Sequence, residues 1–166
     1  RRSSDLRGDL IFLADQDDVW KKNKVEIVKQ AFGNPRVSAV VHNGEIVDEQ
    51  LNLTGQTTFQ WRDSGVGFWK NMRKNSYIGC CMAVRRKTLK KILPIPDKIW
   101  IHDQWIGLLE EQLGTVVFLE EPLIYYRRHG ENVTDLTHGS IISMIRKRYH
   151  MMIEINRRVR EWKNDR

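Results

Sequence analysis

The sequence predicts an α/β domain in which a mixed, mainly parallel sheet is flanked by helices. Four consecutive apolar residues, Ile11 to Ala14, indicate a strand that is covered on both faces, as in a parallel sheet between helices. Strand-like and helix-like spacings of apolar residues then alternate along the chain. The length of 166 residues suffices for one domain with a hydrophobic core, and the composition indicates neither disorder nor a disulfide scaffold.

The remaining elements follow in chain order. A surface helix is expected after Trp20, because Val25, Val28 and Ala31 or Phe32 recur at helical spacing before Gly33-Asn34-Pro35. Further strands are predicted at 37–41, at 45–53 after a turn at 43–44, and at 77–84, 116–119 and 123–126, with a loop over 54–64. Further helices are predicted at 67–74, at 86–93 before two prolines, at 103–112 before Gly114, and at 141–162.

The positive charge of the chain is concentrated at its C-terminal end. The chain holds 28 basic and 21 acidic residues, and positions 140–166 contribute eight of the basic and three of the acidic ones. We therefore expect no nucleic-acid partner and divide the chain into a domain at 1–139 and a basic amphipathic helix at 140–166. This helix either packs on the domain or on a second subunit, as in a homodimer, or lies on an anionic membrane surface.

The cysteine pattern and the hydropathy indicate a cytoplasmic protein. Cys80 and Cys81 are adjacent within an apolar stretch, where neighbours on a strand point to opposite faces, so we expect two free core thiols in a reducing compartment. The sequence contains no signal peptide and no run of eighteen apolar residues. Any membrane association is therefore expected to be peripheral, at the inner face of the membrane.

An acidic cluster follows the first predicted strand. In an extended segment Asp15 and Asp17 point to one side and Gln16 to the other, so the two carboxylates can share a divalent metal ion. Ligands bind at the carboxyl ends of strands in such sheets. Asp18 is expected at the start of the next helix, as a cap or behind the other two. The alternative is a solvated acidic loop that only caps this helix.

Three further segments carry candidate functional residues. Residues 75–86 enter a strand through Gly79, where the backbone approaches a neighbour closely or bends. His102 and Asp103 lie between Trp100 and Trp105 at a predicted helix start, where Asp103 could also be an N-cap. The segment 121–132 contains the end of a strand, and Arg127, Arg128 and His129 follow in a loop. Such a cationic group suits phosphate. The alternative for His129 is an ordinary surface residue.

Taken in order, these segments resemble the inverting GT-A glycosyltransferases of family 2, particularly the bacterial branch that adds rhamnose and related sugars to surface polysaccharides. The resemblance spans roughly residues 8 to 132 and is most specific in three motifs: Phe12 to Trp20 with Asn23-Lys24-Val25, His102-Asp103-Gln104-Trp105, and Pro122 to Asn132. It implies a partial GT-A-like fold in which residues 1–139 form the C-terminal part of the domain and the N-terminal nucleotide-binding part is lacking. Lys21-Lys22 replace the proline that is common in the family.

The resemblance also implies roles for single residues. A nucleotide-sugar donor would bind through Mn²⁺ or Mg²⁺, with Asp17 as the direct metal ligand, Asp15 assisting at the metal and the donor, and Arg127 and His129 completing the diphosphate site. Asp103 would be the catalytic base. His102 and Trp105 would lie on the side of a saccharide or lipid-linked acceptor.

Two other classes of function remain open at this point. A metal-dependent phosphohydrolase could use the same acidic cluster, but a further set of metal ligands is not evident in the sequence. A non-catalytic fragment or interaction domain would use the acidic cluster structurally and bind a membrane surface or a partner through the basic helix.

Overall fold

The computed structural model describes residues 7–128 and 141–164. In these residues an α/β fold is built on a six-stranded sheet with helices on both faces. The strands are β1 (Leu10–Phe12), β2 (Val19–Trp20), β3 (Val37–Val47), β4 (Leu53–Thr57), β5 (Met82–Arg85) and β6 (Thr115–Arg127). The helices are α1 (Lys24–Ala31), α2 (Thr58–Arg62), α3 (Phe68–Arg73), α4 (Arg86–Ile92), α5 (His102–Leu113) and α6 (Ile141–Asn164), and a 3-10 turn spans Gly79–Cys81.

The sheet is mixed but mostly antiparallel, so the prediction of a mainly parallel sheet is wrong. Its order is β1-β5-β3-β6-β2, with β4 paired to β3. Among the described residues only β3 and β6 pair in parallel, whereas β5 lies antiparallel between β1 and β3. The apolar run at 11–14 predicts a strand covered on both faces, as in a parallel sheet, but β1 ends at Phe12 and among the described residues pairs only with β5, in antiparallel orientation. A short apolar run indicates burial but not the direction of the neighbouring strand.

The two long strands were each predicted as two pieces. The turn expected at 43–44 does not form, because β3 continues through Asn43 and Gly44, with register irregularities beside β6 at this point. Residues 116–119 and 123–126 likewise join in β6 across Pro122. A Cβ atom on Gly44 would lie 2.9 Å from Cγ1 of Ile124, so this glycine permits a close approach of the two strands rather than a turn.

The predicted loop at 54–64 is also wrong, since it contains β4 and α2. Thr57 and Gln60 form a capping box at the start of α2, and this residue pair is a helix-start signal that is visible in the sequence. Oδ1 of Asn43 accepts the N–H of Phe59 at 3.0 Å and the hydroxyl of Thr58 at 3.1 Å, which anchors α2 to β3. The strand predicted at 77–84 is divided, with the 3-10 turn preceding β5.

The five helices predicted at 21–32, 67–74, 86–93, 103–112 and 141–162 are all confirmed, with bounds that differ by a few residues. The core has a layer on each face of the sheet. Ala39 and Val41 of β3 face α5 with its buried Trp105, whereas Val40 faces Val28 of α1. Both cysteines are free and buried, as predicted. The rings of Phe12 in β1 and Trp20 in β2 lie 5.6 Å apart, so the two edges of the sheet approach each other on the α1 side.

Helix α6 packs on the domain through Met151, Ile155 and Arg158, which are all buried. The guanidinium of Arg158 donates hydrogen bonds to the carbonyl groups of residues 91–94, at the end of α4. The structure therefore agrees with the interpretation in which α6 packs on the domain. No helix among the described residues combines the length and the apolar character needed to cross a bilayer.

Candidate functional site

The acidic loop, which comprises residues 13–18, joins the two opposite edges of the sheet. It leaves β1, which pairs with β5, and ends at β2, which pairs with β6. The pairing of β2 with β6 places Asp18 beside Arg127, whose backbone N–H donates to Oδ1 of Asp18 at 3.1 Å. At the start of the loop the N–H of Leu13 donates to the carbonyl of Met82 at 3.0 Å, just beyond the 3-10 turn. The loop therefore lies between the 3-10 turn and the end of β6.

Three potential metal ligands converge at this loop. Carboxylate oxygens of Asp15 and Asp18 and the sulfur of Cys80 all lie within 4.8 Å of one another. Oδ2 of Asp18 is buried and accepts no well-formed hydrogen bond. Burial raises the pKa of the Asp18 carboxyl, and the negative charges of Asp15 and Asp17 raise it further, while the Cys80 thiol and the Arg127 N–H lower it. A cation here would satisfy an unpaired oxygen and offset the mutual repulsion of the carboxylates.

The chemistry of this group suits a hard cation. The hydrogen bond with Cys81 and burial raise the pKa of the Cys80 thiol, so the sulfur stays protonated. A protonated thiol is a weak metal ligand, whereas zinc sites use the thiolate. Carboxylate oxygens are the ligands that Mg²⁺ and Mn²⁺ prefer. The residues present therefore fit Mg²⁺ or Mn²⁺ bound through Asp15 and Asp18, with Cys80 packed beneath them.

Lys24 and His42 are two buried polar side chains close to the acidic loop. Burial lowers the pKa of Lys24 to about 8, and its Nζ donates to the carbonyl of Cys80 at 2.9 Å. The same Nζ lies 4.0 Å from the centroid of the Trp20 ring. Burial, and then the charge of Lys24, lower the pKa of His42 to about 4, so this imidazole is neutral near pH 7. Through its contacts with Cys80 and Trp20, Lys24 connects helix α1 to the 3-10 turn and to strand β2.

Asp103 lies at the other side of the 3-10 turn, in the first turn of α5. Its Oδ1 accepts the N–H of Gln104 at 2.8 Å and faces Nδ2 of Asn75 at 3.5 Å. Burial raises the pKa of the Asp103 carboxyl, while the N–H of Gln104, the charge of Arg62 and the N–H of Gly79 lower it. A Cβ atom on Gly79 would lie 3.9 Å from Cβ of Asp103. Gly79 thus contacts Asp103, and the next residue, Cys80, contacts the acidic loop.

A cationic and aromatic group borders Asp103. The guanidinium of Arg62 lies 4.0 Å from the centroid of the Trp61 ring, and that of Arg128 lies 4.8 Å from it. The rings of Trp61 and Tyr126 are 6.0 Å apart. Nε of Arg62 is buried and has no hydrogen-bond partner. Such guanidiniums beside the acidic group suit the oxygens of a diphosphate.

The structure brings together only some of the predicted site residues. Asp15 lies with Asp18 and Cys80 in the group of potential metal ligands, and Asp103 adjoins this group through the 3-10 turn. Asp17 is exposed and lies outside the group of potential metal ligands. The backbone of Arg127 contacts Asp18, whereas its guanidinium points towards the carbonyl of Glu49 at 3.4 Å.

The other three predicted site residues have different surroundings. His102 is exposed at the start of α5. Trp105 is fully buried, and its Nε1 donates to the carbonyl of Ile92 at 3.4 Å. An indole without exposed surface cannot contact an acceptor in this conformation, so Trp105 is a core residue here. His129 lies outside the described residues.

Three further residues of the site were missed as functional candidates. Cys80 and Lys24 carry no local signal of a functional role, because neither residue type indicates burial beside carboxylates. Arg62 lies in the segment predicted as a loop, and the Thr57 and Gln60 capping box is the sequence signal for α2 and hence for its last turn. Asp18 was recognised as a neighbour of the site, but its closeness to Asp15 depends on the pairing of β2 with β6.

A cavity of about 250 Å³ lies elsewhere, at the start of β3. It is lined by residues that include Ser38, Thr88 and Gly114. Oγ of Ser38 donates to the backbone carbonyl of Glu110, and Oγ1 of Thr88 donates to Oε1 of the same residue. None of the residues that line this cavity belongs to the acidic loop, the 3-10 turn or the group around Asp103, so the cavity is not part of the candidate site.

Comparison with known proteins finds a distant relative of this chain. No family model matches the chain. The chain is 29% identical over 133 residues to an uncharacterized glycosyltransferase of Nostoc sp. strain PCC 7120. The match covers 75% of this chain but only 41% of the relative, so the chain spans less than half the length of that protein. The chain is thus a distant homologue of a glycosyltransferase, while the family 2 and rhamnose-adding assignments stay predictions.

Proposed function

We propose that the chain forms part of a glycosyltransferase that moves a sugar, with rhamnose as the candidate, from a nucleotide-diphosphate donor to a saccharide or lipid-linked acceptor with inversion. The main support is that Asp15, Asp18 and Asp103 converge on one 3-10 turn, with Arg62 beside Asp103. In this proposal the potential metal ligands, the proton acceptor and the phosphate-binding cation would be neighbours. The distant relationship to a glycosyltransferase supports the same class.

Asp15 and Asp18 would hold Mn²⁺ or Mg²⁺ in this proposal. When bound, such an ion neutralises the charge of the departing nucleotide diphosphate. The family resemblance gives the direct ligand role to Asp17, but we assign it to Asp18, because its Oδ2 is buried and unpaired next to Asp15. The N–H of Arg127 fixes the other oxygen of Asp18 and so orients the carboxylate.

Asp103 would take the proton from the acceptor hydroxyl. An inverting transfer requires this base on the face of the sugar opposite the leaving group. Burial in the first turn of α5 raises the pKa of the Asp103 carboxyl, which brings it closer to the basicity that this role requires. The N–H groups of Gln104 and Gly79 hold the carboxylate in place, so it is oriented before the acceptor binds.

Arg62, Arg127 and Arg128 would bind the oxygens of the diphosphate. The stacking of Arg62 and Arg128 on Trp61 limits the motion of both guanidiniums. The unpaired Nε of Arg62 and that of Arg127 are donors without a protein acceptor. A phosphate oxygen would supply that acceptor. His129 retains its predicted role at the same diphosphate.

The first test is a titration of Mn²⁺ alone into the chain, followed by UDP and dTDP, measured by calorimetry. We expect Mn²⁺-dependent nucleotide binding that Asp15→Asn and Asp18→Asn each weaken at least tenfold, since each removes one charged ligand. Asp17→Asn is the matched control, with the same charge change in the same loop and an expected effect below threefold. A dominant loss in Asp17→Asn would restore the ligand assignment of the family resemblance.

The second test addresses the reaction and uses the full-length protein that contains this chain. Asp103→Asn should abolish sugar transfer while leaving the affinity for Mn²⁺ and nucleotide unchanged, because the residue acts on the acceptor. Arg62→Met should weaken binding of the diphosphate more than binding of the monophosphate. Release of phosphate from p-nitrophenyl phosphate without any acceptor, lost in Asp18→Asn, would instead favour a phosphohydrolase.

A further inference from the structure

Helix α6 has a second apolar stripe on the side that faces away from the domain. Ile145, Tyr149 and Ile153 recur every four residues and are 59%, 65% and 42% exposed. The side that docks on the domain is defined by Met151 and Ile155, which are buried. At 100° per residue the two sets fall on opposite faces of the helix. A helix that only packs on its own domain does not require this outer stripe.

Basic side chains accompany the outer stripe. Arg146, Arg160 and Lys163 are exposed and lie within about 60° of it on the helical wheel. The two acidic residues of α6 within the described range, Glu154 and Glu161, lie more than about 100° from the stripe centre. Glu154 is also paired with Arg157 at 2.7 Å. The stripe is therefore both apolar and strongly cationic.

Two exposed tryptophans flank the N-terminal half of α6. Trp100, which is 77% exposed, lies under Nζ of Lys147, 5.4 Å from the ring centroid. Trp69, which is 72% exposed, lies one turn before Arg73 in α3, and the carbonyl of Arg73 accepts a hydrogen bond from Arg148. On the helical wheel Lys147 and Arg148 lie about 160° and about 100° from the stripe centre, so these tryptophans border the docked side of α6, and the outer surface consists of the apolar stripe and its basic side chains.

We propose that the outer face of α6 binds the surface of an anionic lipid bilayer, with its apolar stripe at the level of the headgroups and Arg146, Arg160 and Lys163 on anionic phosphates. The charge pattern favours this occupant over a second copy of the chain. A symmetric helix pair would bring like charges together at both ends of the contact, whereas an anionic membrane neutralises them. This inference does not depend on sugar transfer, because it concerns only the helix surface.

The test is co-sedimentation of the chain with vesicles of phosphatidylcholine alone or with about 30% phosphatidylglycerol. We expect binding to the anionic vesicles and little binding to the neutral ones, with a strong decrease as the salt rises from about 0.1 M to about 1 M. The double variant Arg160→Gln/Lys163→Gln should lower the partition coefficient roughly 25-fold, at about fivefold for each charge. Tyr149→Ser/Ile153→Ser should lower binding at unchanged net charge.

The matched control is Lys22→Gln/Lys29→Gln. It removes the same charge from exposed positions near and in α1, on the opposite face of the sheet, and should change binding less than threefold. Circular dichroism verifies that each variant is folded. Three results would overturn the proposal: no binding of the unmodified chain to anionic vesicles, equal losses in the control and in the α6 variants, or a dimer in analytical ultracentrifugation that Tyr149→Ser/Ile153→Ser dissociates.

Discussion

The carboxyl group of Glu110 is predicted to make the stability of the fold strongly dependent on pH. Glu110 lies in α5 and is fully buried. Oγ1 of Thr88 donates to its Oε1 at 2.7 Å, whereas its Oε2 is buried without a hydrogen-bond partner. Burial raises the pKa of this carboxyl from 4.5 to about 8, while the hydroxyls of Thr88 and Ser38 act in the opposite direction. Below that pKa the native protein therefore holds a neutral acid in its core.

The size of the effect follows from the pKa difference between the unfolded and the native chain. The native state binds the proton of Glu110 more tightly, so its contribution to stability is complete below pH 4.5 and is lost as the pH rises towards about 8. At 1.36 kcal/mol for each pH unit, the loss across this window is about 5 kcal/mol as an upper bound. That is a large part of the stability of an ordinary domain.

Glu110→Gln removes the titration and preserves the shape of the side chain. Urea unfolding at several pH values gives the free energy of unfolding of both proteins, and their difference cancels the other titrating groups. The variant should match the unmodified chain within about 1 kcal/mol at pH 4.5 and exceed it increasingly up to pH 8. Glu120→Gln, at an exposed carboxyl of β6, is the control and should show a flat difference. A flat difference for Glu110→Gln as well would refute the reasoning.

Three further predictions concern single contacts in the core. Arg158→Met should lower the free energy of unfolding by about 2–4 kcal/mol and speed hydrogen exchange in α6, because it leaves the carbonyl groups at the end of α4 unpaired; normal exchange in the variant would contradict this. Gly107→Ala should cost about 1–3 kcal/mol in thermal or urea unfolding despite the better helix propensity of alanine, because the new Cβ would lie 2.5 Å from the Tyr77 ring; a more stable variant would show that the ring moves freely. Cys80 and Cys81 should resist a thiol reagent such as DTNB in the native protein and react in urea, because both are buried; rapid native labelling would show that the site opens.

The candidate site was predictable where one segment of sequence carries the signal. The acidic loop is recognisable because an apolar run directly precedes three carboxylates, and Asp103 is recognisable from its place at a helix start. The companions of these residues were not, because they come from distant segments. Asp18 and Arg127 are 109 positions apart, and their contact exists only because β2 pairs with β6. Arg62 reaches Asp103 through α2, which Asn43 anchors to β3.

Local sequence patterns alone predict five of the six α-helices of the described residues, the burial of the two cysteines and the division of α6 into apolar and basic positions. These properties repeat with the local period of the chain, so a short window contains them. The direction of the strands follows only from the fold, in which β5 inserts antiparallel between β1 and β3. The fold also determines that Asp18 joins Asp15 and Cys80 in one group, and that Trp105 is in the core. Both outcomes depend on which distant surfaces meet, and the local pattern does not specify that.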